Sequence, residues 1–110
     1  MTAIQEERLT VQKLYNYICQ NEGIKSLKLR FSRVGKGGAS ITHSSKECFS
    51  INIDLNRICC GAAYALCHEV AHQILISTTG NARHDRSFKS LCKKLETKYV
   101  NCSIARQLIF

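Results

Sequence analysis

No stretch of this chain is apolar for long enough to span a membrane as a helix, which needs about 20 consecutive apolar residues; the richest segment is interrupted by His68, Glu69 and His72. The opening, MTAIQEERLT, places acidic and polar residues where a secretory leader needs a positive start and an apolar run. A soluble, intracellular protein, cytoplasmic or nuclear, with no membrane partner is therefore expected. Cys-x-x-Cys pairs are missing as well. The cysteines number seven, an odd count, and Cys19, Cys59, Cys67 and Cys92 fall within helical apolar patterns, where a free thiol behaves as a small hydrophobe. That argues against a disulfide scaffold and for a reducing compartment. Acidic residues are scarce, 8 against 16 Lys and Arg for a net charge of +8, a balance that attracts polyanions such as nucleic acid. Repeats, low-complexity segments and linkers are absent, and 110 residues suffice for one core but not for two. Residues 1–110 read as one domain, expected to be monomeric.

What is present divides by periodicity. Up to about Gln20, the residues Val11, Leu14, Tyr15, Ile18 and Cys19 recur at spacings of three and four, one face of a helix that Gly23 stops. LKLRFSR then alternates Leu27, Leu29 and Phe31 against Lys28, Arg30 and Ser32, the period of a half-buried strand. Gly35 to Gly38, GKGG, lack the spacing of a phosphate loop and read as a turn. A short strand at ASITH and a longer one at FSINIDL follow, the latter expected to turn Phe49, Ile51 and Ile53 inward. Together these predict a small three-stranded sheet, antiparallel or mixed. From about Asn56 the period becomes helical, with Cys59, Ala62, Ala63, Leu66, Val70 and Ile74 as the apolar stripe; STTGNAR breaks it. Asp85 is placed to cap a last helix whose Phe88, Leu91, Cys92, Leu95 and Tyr99 recur at core spacing, and the tail SIARQLIF is apolar enough to dock. The class is α+β.

The second helix carries CHEVAHQI, with His68 and His72 four residues apart and Glu69 between them. Residues so spaced stack on one face, about 6 Å apart along the axis, and two such imidazoles can reach one ion at roughly 2.0–2.1 Å. Leu66 and Val70 each lie two positions, about 200°, from His68, so the core stripe faces away from the histidines. Glu69 follows His68 by about 100°, flanking an ion rather than binding it, where it can take a proton from a water. Catalytic zinc normally has three protein ligands, so a third is required. His84 is the leading candidate, because the chain can turn at Gly80 and Asn81 and return; Glu96 is the rival, although it lies beside core-facing Leu95. Zn2+ is the expected cofactor.

These residues resemble the SprT/Spartan family of zincin-like metalloproteases. The likeness runs from INIDLN through CHEVAH to RHDRSFKSLCKKL, similar to the family's sheet strand, metal helix and third-histidine segment of the form His-Gly-x-x-Phe or Trp. It implies a zincin-like fold, His68, His72 and His84 as zinc ligands, and Glu69 as the base of a zinc endopeptidase. It also implies that the strand Phe49 to Asp54 is the edge on which a protein or peptide substrate pairs. Family members cleave proteins, in several cases proteins crosslinked to DNA, which points to single-stranded DNA as a partner and to DNA repair. Asp85 stands where the family usually has glycine, and no Cys-x-x-Cys pairs follow, so a minimal catalytic core is expected. Leu75 and Thr78 stand where a metzincin needs glycine and histidine.

Three further readings concern residues around the motif. Arg86 and Tyr99 are the two candidates for a second oxyanion donor. His43, in or beside a strand, reads as a surface or structural residue. Arg86, Lys89 and Lys93 recur at spacings of three and four opposite the core face of the last helix. They form either a solvated face or a phosphate track, and the latter would suit a zinc-stabilised nucleic-acid-binding module without turnover.

Overall fold

The computed structural model describes residues 3–32, 39–54 and 61–101, which form α1 (Ala3–Glu22), β1 (Lys28–Ser32), β2 (Ala39–Ser44), β3 (Glu47–Asp54), α2 (Ala62–Thr79) and α3 (Arg86–Tyr99). The layout is α+β, as the periodicities predict. On α1 the residues Val11, Leu14, Tyr15, Ile18 and Cys19 are all buried. They join Leu27, Ile51 and Ile53 of the sheet region, Leu66 and Val70 of α2, and Leu95 and Tyr99 of α3 in one apolar cluster. Each fully buried Leu or Ile contributes about 1.5–3 kcal/mol, so this cluster fixes the mutual placement of helices and sheet.

The sheet is mixed, in the order β1-β3-β2: β1 runs parallel to β3 and β2 antiparallel to it. Two expectations are corrected by that order. First, β3, which holds Phe49 to Asp54, is the central strand with both edges paired, so it offers no free edge to a substrate; the antiparallel edge is β2. Second, Phe49 is 48% exposed rather than inward. The register passes from Thr42 opposite Ser50 to His43 opposite Cys48, leaving Phe49 as the extra residue of a β-bulge. One added residue inverts the alternation before it, so Cys48 turns into the core while Ile51 and Ile53 keep the facing expected of them.

The second helix starts later than its apolar stripe suggests. Gly61 precedes it with φ 93 and ψ 154, a conformation only glycine adopts without strain, so Ala62 is the first helical residue. At its other end α2 continues through Ser77 to Thr79, where Gly80 at φ 74 closes it by donating its N–H to Ile76 O. The expectations for Cys59, for GKGG at 35–38 and for the tail beyond Asn101 lie outside the described residues. Among those described, no helix is long and apolar enough to cross a membrane.

Candidate metal centre

Three layers of structure bring the site together. The innermost is a buried polar lock: Tyr15 Oη donates to Gln73 Oε1 at 2.8 Å and accepts from Leu27 N at 3.0 Å, while Gln73 Nε2 donates to Lys25 O at 2.6 Å. Gln73 directly follows His72, so this lock, joining α1, the approach to β1 and α2, sets the rotation of the metal helix about its axis. Burial, opposed by the bond from Leu27, raises the Tyr15 hydroxyl well above the usual tyrosine value, and it therefore stays a neutral donor.

The second layer is the turn after α2. Asn81 Oδ1 accepts from Arg83 N at 2.9 Å, and Asn81 Nδ2 donates to Asp85 Oδ2 at 2.7 Å. Asp85 Oδ1 then accepts from Phe88 N at 3.0 Å, capping α3 as its position predicts. These bonds, led by the one from Phe88, hold the Asp85 carboxyl below its ordinary value. Asp85 has φ −85 and ψ −170, extended backbone open to any residue, so an aspartate here needs no glycine-specific geometry. His84 lies inside this stapled turn.

The third layer is a ring floor. Phe88 stacks on His72 with centroids 4.3 Å apart and meets His68 and His84 edge-on at 4.8 and 4.9 Å. Above it the three histidines converge: one ligand atom from each of His68, His72 and His84 lies within 4.8 Å of the others. His72 Nε2 and His84 Nε2 are 3.0 Å apart. Two imidazole nitrogens each about 2.0–2.1 Å from a tetrahedral ion stand roughly 3.3 Å from one another, so the spacing fits a shared ion. His72 is 7% exposed and its Nδ1 is buried with no hydrogen-bond partner among the described residues.

Charge favours the same use. Burial, reinforced by His68, His84 and His43, pushes His72 down to about 4, so its ring is neutral and keeps a lone pair at neutral pH. Burial, with His84 adding to it and Glu96 opposing it, also lowers His68. Glu69 is 3% exposed, and its Oε2 lies 3.9 Å from His68 Nε2. Burial raises it to about 7, while a divalent cation nearby would oppose that rise. Burial grades across the site from His72, enclosed, through His68, partly open, to His84, exposed, so one side faces solvent.

A family model describing the SprT-like family matches residues 8–107. The chain belongs to the SprT-like family. No curated protein and no solved structure matches the chain. The family match enters α1 at Arg8 and takes in every later described element; the motifs that carry the sequence resemblance lie between β3 and α3, and the order of helices and strands extends it to most of the rest.

In this SprT-like chain the structure brings together His68, His72 and His84, with Glu69 alongside. Glu96, the rival third ligand, lies half-buried on α3 and accepts from the Cys92 thiol at 3.6 Å; it is not in the histidine group. Tyr99 is excluded as an oxyanion donor, because its hydroxyl is bound to Glu22 and Asn21 between α3 and α1. Arg86 is exposed two residues from His84, and with Lys89 and Lys93 it lines a hollow of about 450 Å³ that His84 shares. His43 is exposed on β2. Cys67 and Cys92 are free thiols pushed by burial to about 12 and about 11, and Cys19 and Cys48 are also free; such thiols are unreactive.

Two contributions were not read from the sequence as parts of the site. Phe88 reads from the sequence as a core residue and as the aromatic of the third-histidine segment, but not as a floor beneath the three rings; its place four residues after His84 puts it in the first turn of α3. Gln73 carried a signal too: a polar residue next to His72, on the side of α2 facing α1, is a candidate for a buried hydrogen bond.

Proposed function

We propose that the chain is a zinc-dependent endopeptidase acting on proteins or peptides. The observation that carries this reading is the convergence of three histidine ligand atoms within 4.8 Å, with buried Glu69 beside them and one side open. His68, His72 and His84 would hold the ion, His72 fixed by Phe88 below and the Tyr15–Gln73 lock behind. Bound there, zinc supplies Lewis acidity toward a water molecule and toward a peptide carbonyl.

The protein's own residues do the remainder. Glu69, buried beside the histidines, accepts a proton as the water attacks and returns it to the departing amine. An extended substrate pairs with the outer edge of β2, which has no strand partner among the described residues, gaining affinity from main-chain hydrogen bonds. Arg86 remains as the candidate for a second oxyanion donor.

The exposed cations of α3 favour a second reading, a zinc-stabilised nucleic-acid-binding module in which single-stranded DNA is the partner and no bond is cut. Such a module has no use for a buried carboxylate beside the histidines, whereas a peptidase requires one. Glu69→Gln separates the two. The endopeptidase reading expects the variant to keep zinc but lose cleavage of unfolded casein, as chelator-treated wild type does. Equal behaviour of wild type and variant, with DNA binding that weakens steeply in salt, would establish the module instead.

A further inference from the structure

The two walls flanking the histidines differ in charge. Strand β2, ASITHS, has no acid and no lysine or arginine. On the other side α3 carries five lysines and arginines and one acid, Glu96, which is half-buried and engaged by Cys92. Lys98 is paired with Glu22 at 2.8 Å. Arg86, Lys89, Lys93 and Lys94 are exposed and have no ion-pair partner among the described residues. Three of these four line the hollow of about 450 Å³ that also includes His84, so whatever enters it reaches one of the metal-site histidines. Of the other two polar groups there Ser90 is neutral, and Asp85 is an ionised carboxylate held on Asn81 and the Phe88 N–H, so the lining carries three cations against one anion and stays net positive.

We infer that Lys89 and Lys93 select substrates with acidic side chains on one side of the scissile bond, the side that leaves the histidines along α3. The inference rests on the endopeptidase reading and adds a substrate class to it. A segment paired on β2 lies along a strand with no acid, lysine or arginine of its own and passes a cationic wall along α3, so acidity is rewarded on the α3 side. Nucleic acid is the less suited occupant. The exposed positions of α3 include no aromatic residue on which an unpaired base could stack, and the hollow belongs to the cleft rather than to a separate surface. Arg86, adjacent to the histidine turn, contributes to the same potential but is left intact in the test below, to keep specificity distinct from catalysis.

The test uses three fluorescent ten-residue peptides, neutral except for two glutamates on the amino side of the central bond, two on its carboxyl side, or glutamines at all four positions. Cleavage is measured on wild type, and binding by anisotropy on Glu69→Gln, which needs no turnover. Exposed ion pairs each change preference by about two- to fivefold, so one of the two acidic peptides should be preferred over the glutamine peptide by roughly tenfold. That preference should collapse toward unity in Lys89→Gln/Lys93→Gln and at high salt, and survive in Lys89→Arg. Cleavage or binding with no preference for either acidic peptide would overturn the inference and leave the endopeptidase intact. Failure to cleave any peptide would count against the endopeptidase reading, and the anisotropy ratio would then decide the inference by itself. A single-stranded oligonucleotide that binds through Lys89 and Lys93, while the peptides show no charge preference, would assign the hollow to nucleic acid.

Discussion

The lock behind the metal helix permits a quantitative test. Tyr15 is 0% exposed and Gln73 3%, so groups released there find little water. Tyr15→Phe removes the acceptor of Leu27 N–H and the donor to Gln73 Oε1, stranding two polar groups at about 1–3 kcal/mol each. Gln73→Met leaves Tyr15 Oη still accepting from Leu27 but strands its proton; Lys25 O, on an exposed residue, can turn to solvent. The double variant strands only Leu27 N–H. The singles should therefore cost roughly 2–6 and 1–3 kcal/mol, and the double no more than the larger of them. The coupling amounts to about 2 kcal/mol, within the range for residues sharing a network. Urea unfolding of all four proteins, with chelator present so that metal affinity does not enter, measures it. Additivity within about 0.5 kcal/mol would refute the idea that these groups form one unit. Zinc retention should fall in both singles, because the rotation of α2 is then less tightly fixed.

Two further predictions concern the flanks of the site. Asp85→Ala should lower the melting temperature and speed zinc loss, whereas Asp85→Asn, which can still accept from Phe88 N, should behave near wild type; equal zinc release from both would contradict the stapled turn. At the far end, burial raises the Glu22 carboxyl but the bonds from Lys98 and Tyr99 outweigh it, so its folded value lies below the ordinary 4.5. Its contribution is therefore present above about pH 4.5 and lost as pH falls through the lower folded value. The melting-temperature gap between wild type and Glu22→Gln should be level from neutral pH down to that point and close below it; a gap that widens in acid would contradict the assignment.

Much of this was open to reading from the residues. Helical periodicity identified the buried faces of α1 and α3, and the His-Glu-x-x-His spacing of His68, Glu69 and His72 fixed their shared turn, because i and i+4 positions stack whatever surrounds them. Asp85 was readable as a cap for the same local reason. Pairing was not. Period-two alternation says which residues of a strand share a face and nothing about its neighbours, so the central position of β3 and its parallel bond to β1 were invisible. Alternation also runs silently through a bulge, which is why Phe49 was placed with Ile51. The apolar stripe of α2 extended past Gly61, and only the backbone angle there shows where the helix begins. Side-chain partnerships between distant segments, such as Tyr15 with Gln73 and Phe88 beneath the three rings, are set by packing that no local pattern encodes.

The central claim is that His68, His72 and His84 hold one ion. X-ray absorption at the zinc edge of the purified, zinc-loaded protein tests it most directly. The account predicts a nitrogen and oxygen shell at about 2.0–2.1 Å with scattering from three imidazole rings, falling to two in His84→Ala. Sulfur at about 2.3 Å, or a three-ring pattern unchanged by His84→Ala, would contradict it.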